Sequence, residues 1–416
     1  MGIRYQTVKS HSKVLNLYPA PDSWFWVAGS INPFRGCEHN CIYCDGKAEW
    51  YRIHNFGTHI RVKVDAAKKY EKELLKLGYR PDFRPKRDTL ESFISISAKT
   101  QPTHKNSQCS PIAVGGGVCD LYQPAEKKFK VARQILTISR DFGIPVSILT
   151  KSTLVLRDLD IISEINNLNY ANVSFSITLF EENVRKIFEP NSPSTSKRFQ
   201  ALEIVRHNKL HGGIILMPIL PGIGDREENL KSIIQKARDV NAEFILPGGL
   251  TLKPGRNKRE YLKTIKQHFP SLISLYQDLY SNNNQYGAPI PHSKMNLNAS
   301  KIVHEYCRKF GISDRIPRYI PPGVYQKNYL LSTILHNLAY YYQNIKEKPW
   351  RVVSPYTKGA KAIEISPIDI SHMSIKNLRT RFKLPLKICE VVSEVLETGK
   401  STDLCEFQEP NTILAN

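Results

Sequence analysis

The chain is short of acid. Among its 416 residues, 38 Asp and Glu stand against 59 Lys and Arg, for a formal net charge of +21. A surplus of that size makes a polyanion the leading partner, nucleic acid before an anionic membrane surface, with a merely solvated basic face as the alternative. Long apolar runs are missing too. No stretch approaches the roughly 18 apolar residues of a membrane span, and the opening MGIRYQTVKSHSKVLNLYPAPDSW has no apolar signal-peptide core. Gln6 stands where a myristoylation pattern needs Ser or Thr. The expectation is a soluble, intracellular protein without a membrane partner, cytoplasmic if the source is prokaryotic. Internal repeats and low-complexity tracts are also absent. With 41% hydrophobic and 23% charged residues, disorder is not the default, and the length can bury a sizeable core in more than one domain.

Cysteines are few and unevenly placed. Cys109, Cys119, Cys307, Cys389 and Cys405 are scattered, whereas Cys37, Cys41 and Cys44 crowd into eight residues. In a reducing compartment scattering suggests ordinary thiols and clustering suggests metal.

What is present in quantity is alternation. The β-rich runs WFWVAGSI, PIAVGGG, PVSILT, ANVSFSIT, GGIILMPI and AEFILPGG are separated by amphipathic stretches such as DAAKKYEKELLKL, AEKKFKVARQILTISRDF and DREENLKSIIQKARDV. This rhythm predicts an α/β fold of βα repeats on a parallel sheet, six strands making a partial barrel. The expected division is an amino-terminal extension at 1–23, a (β/α)6 core at 24–255 with a polar insertion at 80–110 carrying one strand, FISIS, a helical connecting region at 256–327, and an all-α region at 328–416.

Cys37-x3-Cys41-x2-Cys44 follows the first strand directly. Three thiolates on one loop can bind three irons of a cubane and leave the fourth for an external ligand. S-adenosylmethionine (SAM), through its amino and carboxylate groups, suits that vacancy, and one electron from the cluster then cleaves its sulfonium. The alternatives are three unrelated thiols and a structural zinc site, which needs a fourth close ligand from His39 or His54.

CxxxCxYC at the end of a first strand resembles the signature of the radical SAM superfamily. More narrowly, NPFRGCEHNCIYC, CDLYQPAEKKFKVARQIL, SILTKSTLVLRDLDII, FEPNSPSTSKRFQAL and MPILPGIGDREENL resemble the branch related to spore photoproduct lyase. The resemblance implies a radical SAM barrel with a four-iron, four-sulfur cluster on Cys37, Cys41 and Cys44, bound SAM, and a one-electron donor such as ferredoxin or flavodoxin. It places Tyr43 beside the adenine and Gly115, Gly116 and Gly117 near the SAM amino group, although no Glu follows these glycines as in the family. Ser174 and Ser176 are expected at the ribose, Arg198 at the SAM carboxylate, and Asp120 at the strand end, in contact with ligand or capping the next helix. Cys119 is either a hydrogen donor to a product radical or an inert buried thiol.

The stretch from about 328 to 407, with YLLSTILHNLAYYYQNI, PYTKGAKAIEI and ICEVVSEVLETGKSTDL, resembles the helix-hairpin-helix domain of X-family DNA polymerases of the DNA polymerase β type. The resemblance implies phosphate contacts from Lys358, Lys361 and Lys400, ordinary surface lysines being the alternative. Lys383, Leu384 and Pro385 replace the family's GxG turn, and Val391 stands at the lyase lysine, which removes Schiff-base chemistry. Together these readings lead to a radical SAM enzyme acting on duplex DNA, in base-lesion repair. The alternatives are a radical SAM enzyme modifying RNA or protein, and a nucleic-acid-binding protein with a structural or redox-sensing cluster.

Overall fold

The computed structural model describes residues 2–81, 110–115, 117–282, 285–289, 294–321, 323, 325–408 and 413. Most of the polar insertion, with its expected strand FISIS, and also Gly116 and Cys109, lie outside the described residues.

Ten strands form two sheets among the described residues: β1 (Arg4–Val8), β2 (Leu15–Leu17), β3 (Gly29–Ile31), β4 (Phe34–Arg35), β5 (His59–Lys63), β6 (Ile112–Val114), β7 (Val146–Thr150), β8 (Ala171–Ser176), β9 (His211–Ile219) and β10 (Ile245–Gly249). The main sheet runs β10-β9-β8-β7-β6-β3-β2. Its first six members are parallel and correspond one to one with the six β-rich runs of the sequence, so the α/β expectation holds. β8 is buried along its whole length, as a central parallel strand covered on both faces must be.

Helices supply that cover. In Val131–Asp141 the buried positions Val131, Ala132, Ile135, Leu136 and Ser139 make one stripe facing the sheet. The sequence predicts a single helix through AEKKFKVARQILTISRDF; the structure breaks it at Lys130, whose φ is 50°. Glu126 explains the break, because its carboxylate accepts the Ala132 amide at 3.0 Å and so caps the second helix.

Two features were not legible beforehand. The amino-terminal extension is woven into the body: β1 pairs parallel to β5 in a side sheet ordered β1-β5-β4, and β2 pairs antiparallel to β3. The segment read as a connecting region is also built in. Ala299, Val303 and Cys307 of the helix Lys294–Phe310 join the main core, and Tyr261, Ile265, Tyr276 and Tyr280 pack with Cys41 and Tyr43.

The carboxyl-terminal region is helical, with Gln326–Asn344, Trp350–Glu364, Ile375–Phe382 and Leu386–Thr398 around a separate core that includes Leu335, Leu338, Ile363 and Val392. It meets the barrel through two buried arginines. Arg315 lies over the rings of Trp24 and Tyr340, and Arg318 over Trp26, while Arg318 Nη2 pairs with Glu364 at 2.6 Å. No helix among the described residues is long and apolar enough to cross a membrane.

Candidate active site

The cysteine loop is a succession of tight turns. Cys37 N donates to Phe56 O at 3.0 Å, Asn40 N to Cys37 O at 3.1 Å, Cys44 N to Cys41 O at 3.2 Å and Lys47 N to Cys44 O at 3.1 Å. Gly36 leads into it at φ 86°, where a Cβ would meet His59 O at 2.5 Å. Side chains from distant segments then clamp it. Gln123 donates to Gly36 O at 3.1 Å and accepts from Glu38 N at 3.0 Å, while Asn257 Nδ2 reaches Cys44 O at 3.0 Å. Glu49 on the loop accepts the Arg256 amide at the start of the helix Arg256–His268. Gly255 makes this possible: its φ is +96°, and a Cβ there would sit 2.3 Å from Glu49 Oε2.

All three thiols line one cavity of about 330 Å³ at the carboxyl ends of the parallel strands, within the size range of small-molecule sites. Burial pushes Cys41 up to about 11, Cys44 to about 12 and Cys37 well above the ordinary thiol value. The thiolates that ligation requires therefore depend on the positive charge of bound iron. The thiols are free of disulfides. Among the described residues no three Cys, His, Asp or Glu side chains converge as a single-ion site needs. His39 lies 3.3 Å from Asp120 instead, and His54 is exposed, so no fourth zinc ligand is formed. An open three-thiol loop fits a cluster better than zinc.

The rest of the wall comes from successive strand ends. Gly117, Cys119 and Asp120 follow β6, Thr150 and Lys151 end β7, Ser176 ends β8, Met217 lies in β9 and Gly249 ends β10. Asp120 spends its carboxylate on the wall itself, accepting Thr150 Oγ1 at 2.7 Å, Lys151 N at 2.7 Å and Tyr122 N at 2.8 Å. Burial alone would raise its pKa, but His39 and these donors bring it to about 2. Cys119 sits among the same lining, its thiol pushed up to about 11 by burial.

Three of the expected SAM contacts are relocated. Arg198 does not line the cavity: its guanidinium is buried, paired with Glu189, and donates to Ser176 O, Ser192 Oγ and Pro193 O at 2.8 Å each. Ser174 also lies outside the lining, accepting from Asn172 Nδ2 at 3.1 Å one pleat below Ser176. Gly115 packs against Leu121, whereas Gly117, the other described glycine of the run, has open space in front of it. Tyr43 lines the cavity, and its hydroxyl donates to Glu189. The cation that does face the cavity is Lys151, whose Nζ donates to Ser176 Oγ and lies 3.8 Å from Glu189. Glu189 and Asn257 carried no spacing signal, because each acts across a tertiary contact; Gln123, which the sequence sets beside Asp120 just beyond a strand end, turns out to clamp the cysteine loop. Lys358 and Lys361 are exposed on the helix Trp350–Glu364 and Lys400 is exposed just after Leu386–Thr398, and none of them lines this cavity.

A parallel sheet whose first strand leads into three open thiols, with a cavity at its carboxyl edge, defines the class. Residues 31–234 match the family model described as the radical SAM superfamily, and the chain carries a radical SAM domain. Its cofactors are a four-iron, four-sulfur cluster and SAM. Among similar proteins, an uncharacterized protein of Methanocaldococcus jannaschii is 29% identical over 242 residues, covering 58% of this chain and 76% of that one. An uncharacterized protein of Mycobacterium tuberculosis is 26% identical over 256 residues, covering 60% of this chain and 66% of that one. A spore photoproduct lyase double mutant with bound AdoMet and dinucleoside spore photoproduct has a TM-score of 0.51 at 15% identity, covering 74% of this chain and 79% of that one. A spore photoproduct lyase complexed with dinucleoside spore photoproduct gives a TM-score of 0.50 at 15% identity over the same shares. At that identity the likeness is one of fold.

Proposed function

We propose that this radical SAM enzyme acts on duplex DNA, in base-lesion repair similar to that of spore photoproduct lyase. The observation that carries the reading is the convergence of Cys37, Cys41, Cys44, Lys151, Ser176 and Cys119 on one cavity. When bound, the cluster and SAM would supply radical chemistry for hydrogen abstraction. Cys37, Cys41 and Cys44 hold the cluster. Lys151, in place of Arg198, takes the SAM carboxylate; Ser176 meets the ribose, Tyr43 packs beside the adenine, and the backbone at Gly117 approaches the amino group. Asp120 is a positioning residue that keeps Lys151 at the cavity wall. Among the described residues Cys119 is the one further thiol in the wall, and it is the candidate hydrogen donor to a product radical.

DNA is supported by the +21 charge and by the carboxyl-terminal helices. Lys358, Lys361 and Lys400 are exposed there, and so are Lys376, Arg379, Arg381 and Lys383 around the turn between Ile375–Phe382 and Leu386–Thr398. Phosphate contacts from these side chains would hold the duplex without reading bases, while the lesion is flipped or distorted into the cavity. Val391 is buried in the helical core, in keeping with a module that binds without lyase chemistry.

The test is anaerobic reconstitution with a reductant, SAM and ultraviolet-damaged DNA, followed by mass analysis of deoxyadenosine and nucleosides. Parent protein yields deoxyadenosine and loses lesion; Cys37→Ser, Cys41→Ser or Cys44→Ser abolishes both. No deoxyadenosine above background, with or without DNA, sinks the enzyme reading. Deoxyadenosine with every nucleoside unchanged sinks the DNA substrate and turns attention to RNA or protein.

A further inference from the structure

The cluster must be fed one electron at a time, so the protein needs a place for a donor to dock close to the cysteine loop. We infer that the outer face of the side sheet, formed by Arg35, Arg52, His54, His59 and Arg61, is the docking surface for an acidic one-electron carrier protein. This inference rests on the radical SAM reading of the cavity.

Strand register assembles the patch. Arg35 of β4 lies opposite Arg61 of β5, and Arg4 of β1 opposite His59 of β5, so these side chains share the face away from buried Ile60 and Val62. Arg52 and His54 join them from the loop that follows the cysteines, and Arg35 Nη2 ties that loop down by donating to Tyr51 O at 2.6 Å. Among the described residues, none of Arg35, Arg52, His54, His59 and Arg61 forms an ion pair. The nearby carboxylates are already engaged, Asp45 by Lys253 at 2.6 Å and Glu49 by the Arg256 amide. The positive charge is therefore left uncompensated at the surface.

Position decides what that charge is for. Ile53 and Phe56, interleaved with Arg52 and His54, pack directly against Cys37, with Cys44 and Tyr51 at the edge of the same cluster. Ile53 also lines the basic depression, so one residue borders both the arginines and the Cys37 cluster. The depression between the arginines and histidines holds only about 10 Å³, room for a water and not for a small ligand, so the face suits a macromolecule. Trp50, 80% exposed two residues before Arg52, offers the aromatic anchor that interfaces concentrate. A small, charge-steered contact of this kind is the usual form of transient electron-transfer complexes. Donation is balanced: the reduced carrier loses one electron, and the cluster accepts it.

The experiment compares parent protein with the Arg52→Glu/Arg61→Glu and Arg52→Gln/Arg61→Gln variants, using a recombinant flavodoxin as the probe. Affinity for flavodoxin is measured across a salt series without cluster or SAM, and deoxyadenosine formation is then measured with reduced flavodoxin and separately with dithionite. The expected result is a loss of at least about tenfold in affinity and in the flavodoxin-driven rate for the Glu pair at low salt. A smaller loss is expected for the Gln pair, with a flattened salt dependence in both and dithionite rates unchanged. Flavodoxin affinity within about twofold of the parent overturns the inference. So does a fall in duplex DNA affinity with flavodoxin binding intact, which would make this a nucleic-acid face. If parent protein forms no deoxyadenosine even with dithionite, the enzyme reading is what has failed, and the affinity series still decides the docking face.

Discussion

Arg198→Met discriminates most directly between a SAM contact and an internal strut. The substitution keeps the stem and removes the charge, leaving Glu189 buried with Lys151 Nζ, 3.8 Å away, as the remaining cation paired with it among the described residues. The size of the effect follows from the Glu189 carboxyl. Burial alone would raise its pKa, but Arg198 foremost, with Lys151 and Tyr43, brings it from 4.5 to about 2, so the carboxylate stays charged inside the fold. Removing one partner of such a buried ion pair costs about 3–5 kcal/mol, and that is the loss expected for Arg198→Met. A carboxylate with a lowered pKa contributes its stability above its unfolded value and loses it as pH falls through the folded one. The gap between parent and Arg198→Met is therefore full at pH 7 and closes as pH falls from 4.5 towards 2. Urea unfolding of the cluster-free protein at several pH values measures it, and the cycle with Glu189→Gln gives a coupling of about 3 kcal/mol. A loss under about 1 kcal/mol at neutral pH, accompanied by weakened SAM binding, would refute the strut and return Arg198 to the SAM carboxylate.

Lys151→Met should weaken SAM binding by about 10- to 100-fold, the worth of one charge-assisted hydrogen bond; calorimetry on reconstituted protein measures this, with circular dichroism unchanged. Gly255→Ala forces a side chain into φ +96° and into Glu49, at a cost of about 1–3 kcal/mol, and should lower iron loading after reconstitution, read as iron per chain. Glu364→Ala strips Arg318 of its buried partner and should cost about 3–5 kcal/mol; because Arg318 lies over Trp26, beside the cavity-lining Phe25, tryptophan fluorescence should shift with it. Cys119→Ala should leave deoxyadenosine formation intact and change the distribution of nucleoside products; an unchanged distribution removes the hydrogen-donor role.

The predictions that survive folding unaltered are those whose information is local. Short β-rich runs such as PVSILT and ANVSFSIT appear as β7 and β8, because a run rich in strand-forming residues between helical stretches is a local signal that needs no knowledge of the neighbours. The three cysteines likewise occupy one loop in sequence, and one loop lines one cavity. The Lys130 break was less accessible, because a left-handed residue between two helical stretches is stabilised by the Glu126 cap rather than by propensity.

By itself, then, the sequence determined the parallel α/β core, the open three-thiol loop and the basic balance of charge. Only tertiary structure decided which cation faces the cavity. Arg198 and Lys151 both lie near strand ends at the site, but the end of β8 sets Ser176 O, and the end of the helix Glu182–Phe188 sets Glu189, against Arg198, which is engaged inside, while Lys151 is left at the wall. The same holds for Gly255, Asn257 and Gln123, which fasten the cysteine loop from segments far along the chain. Spacing encodes which residues share a face; which charge meets which partner depends on strand order, and that exists only once the sheet has formed.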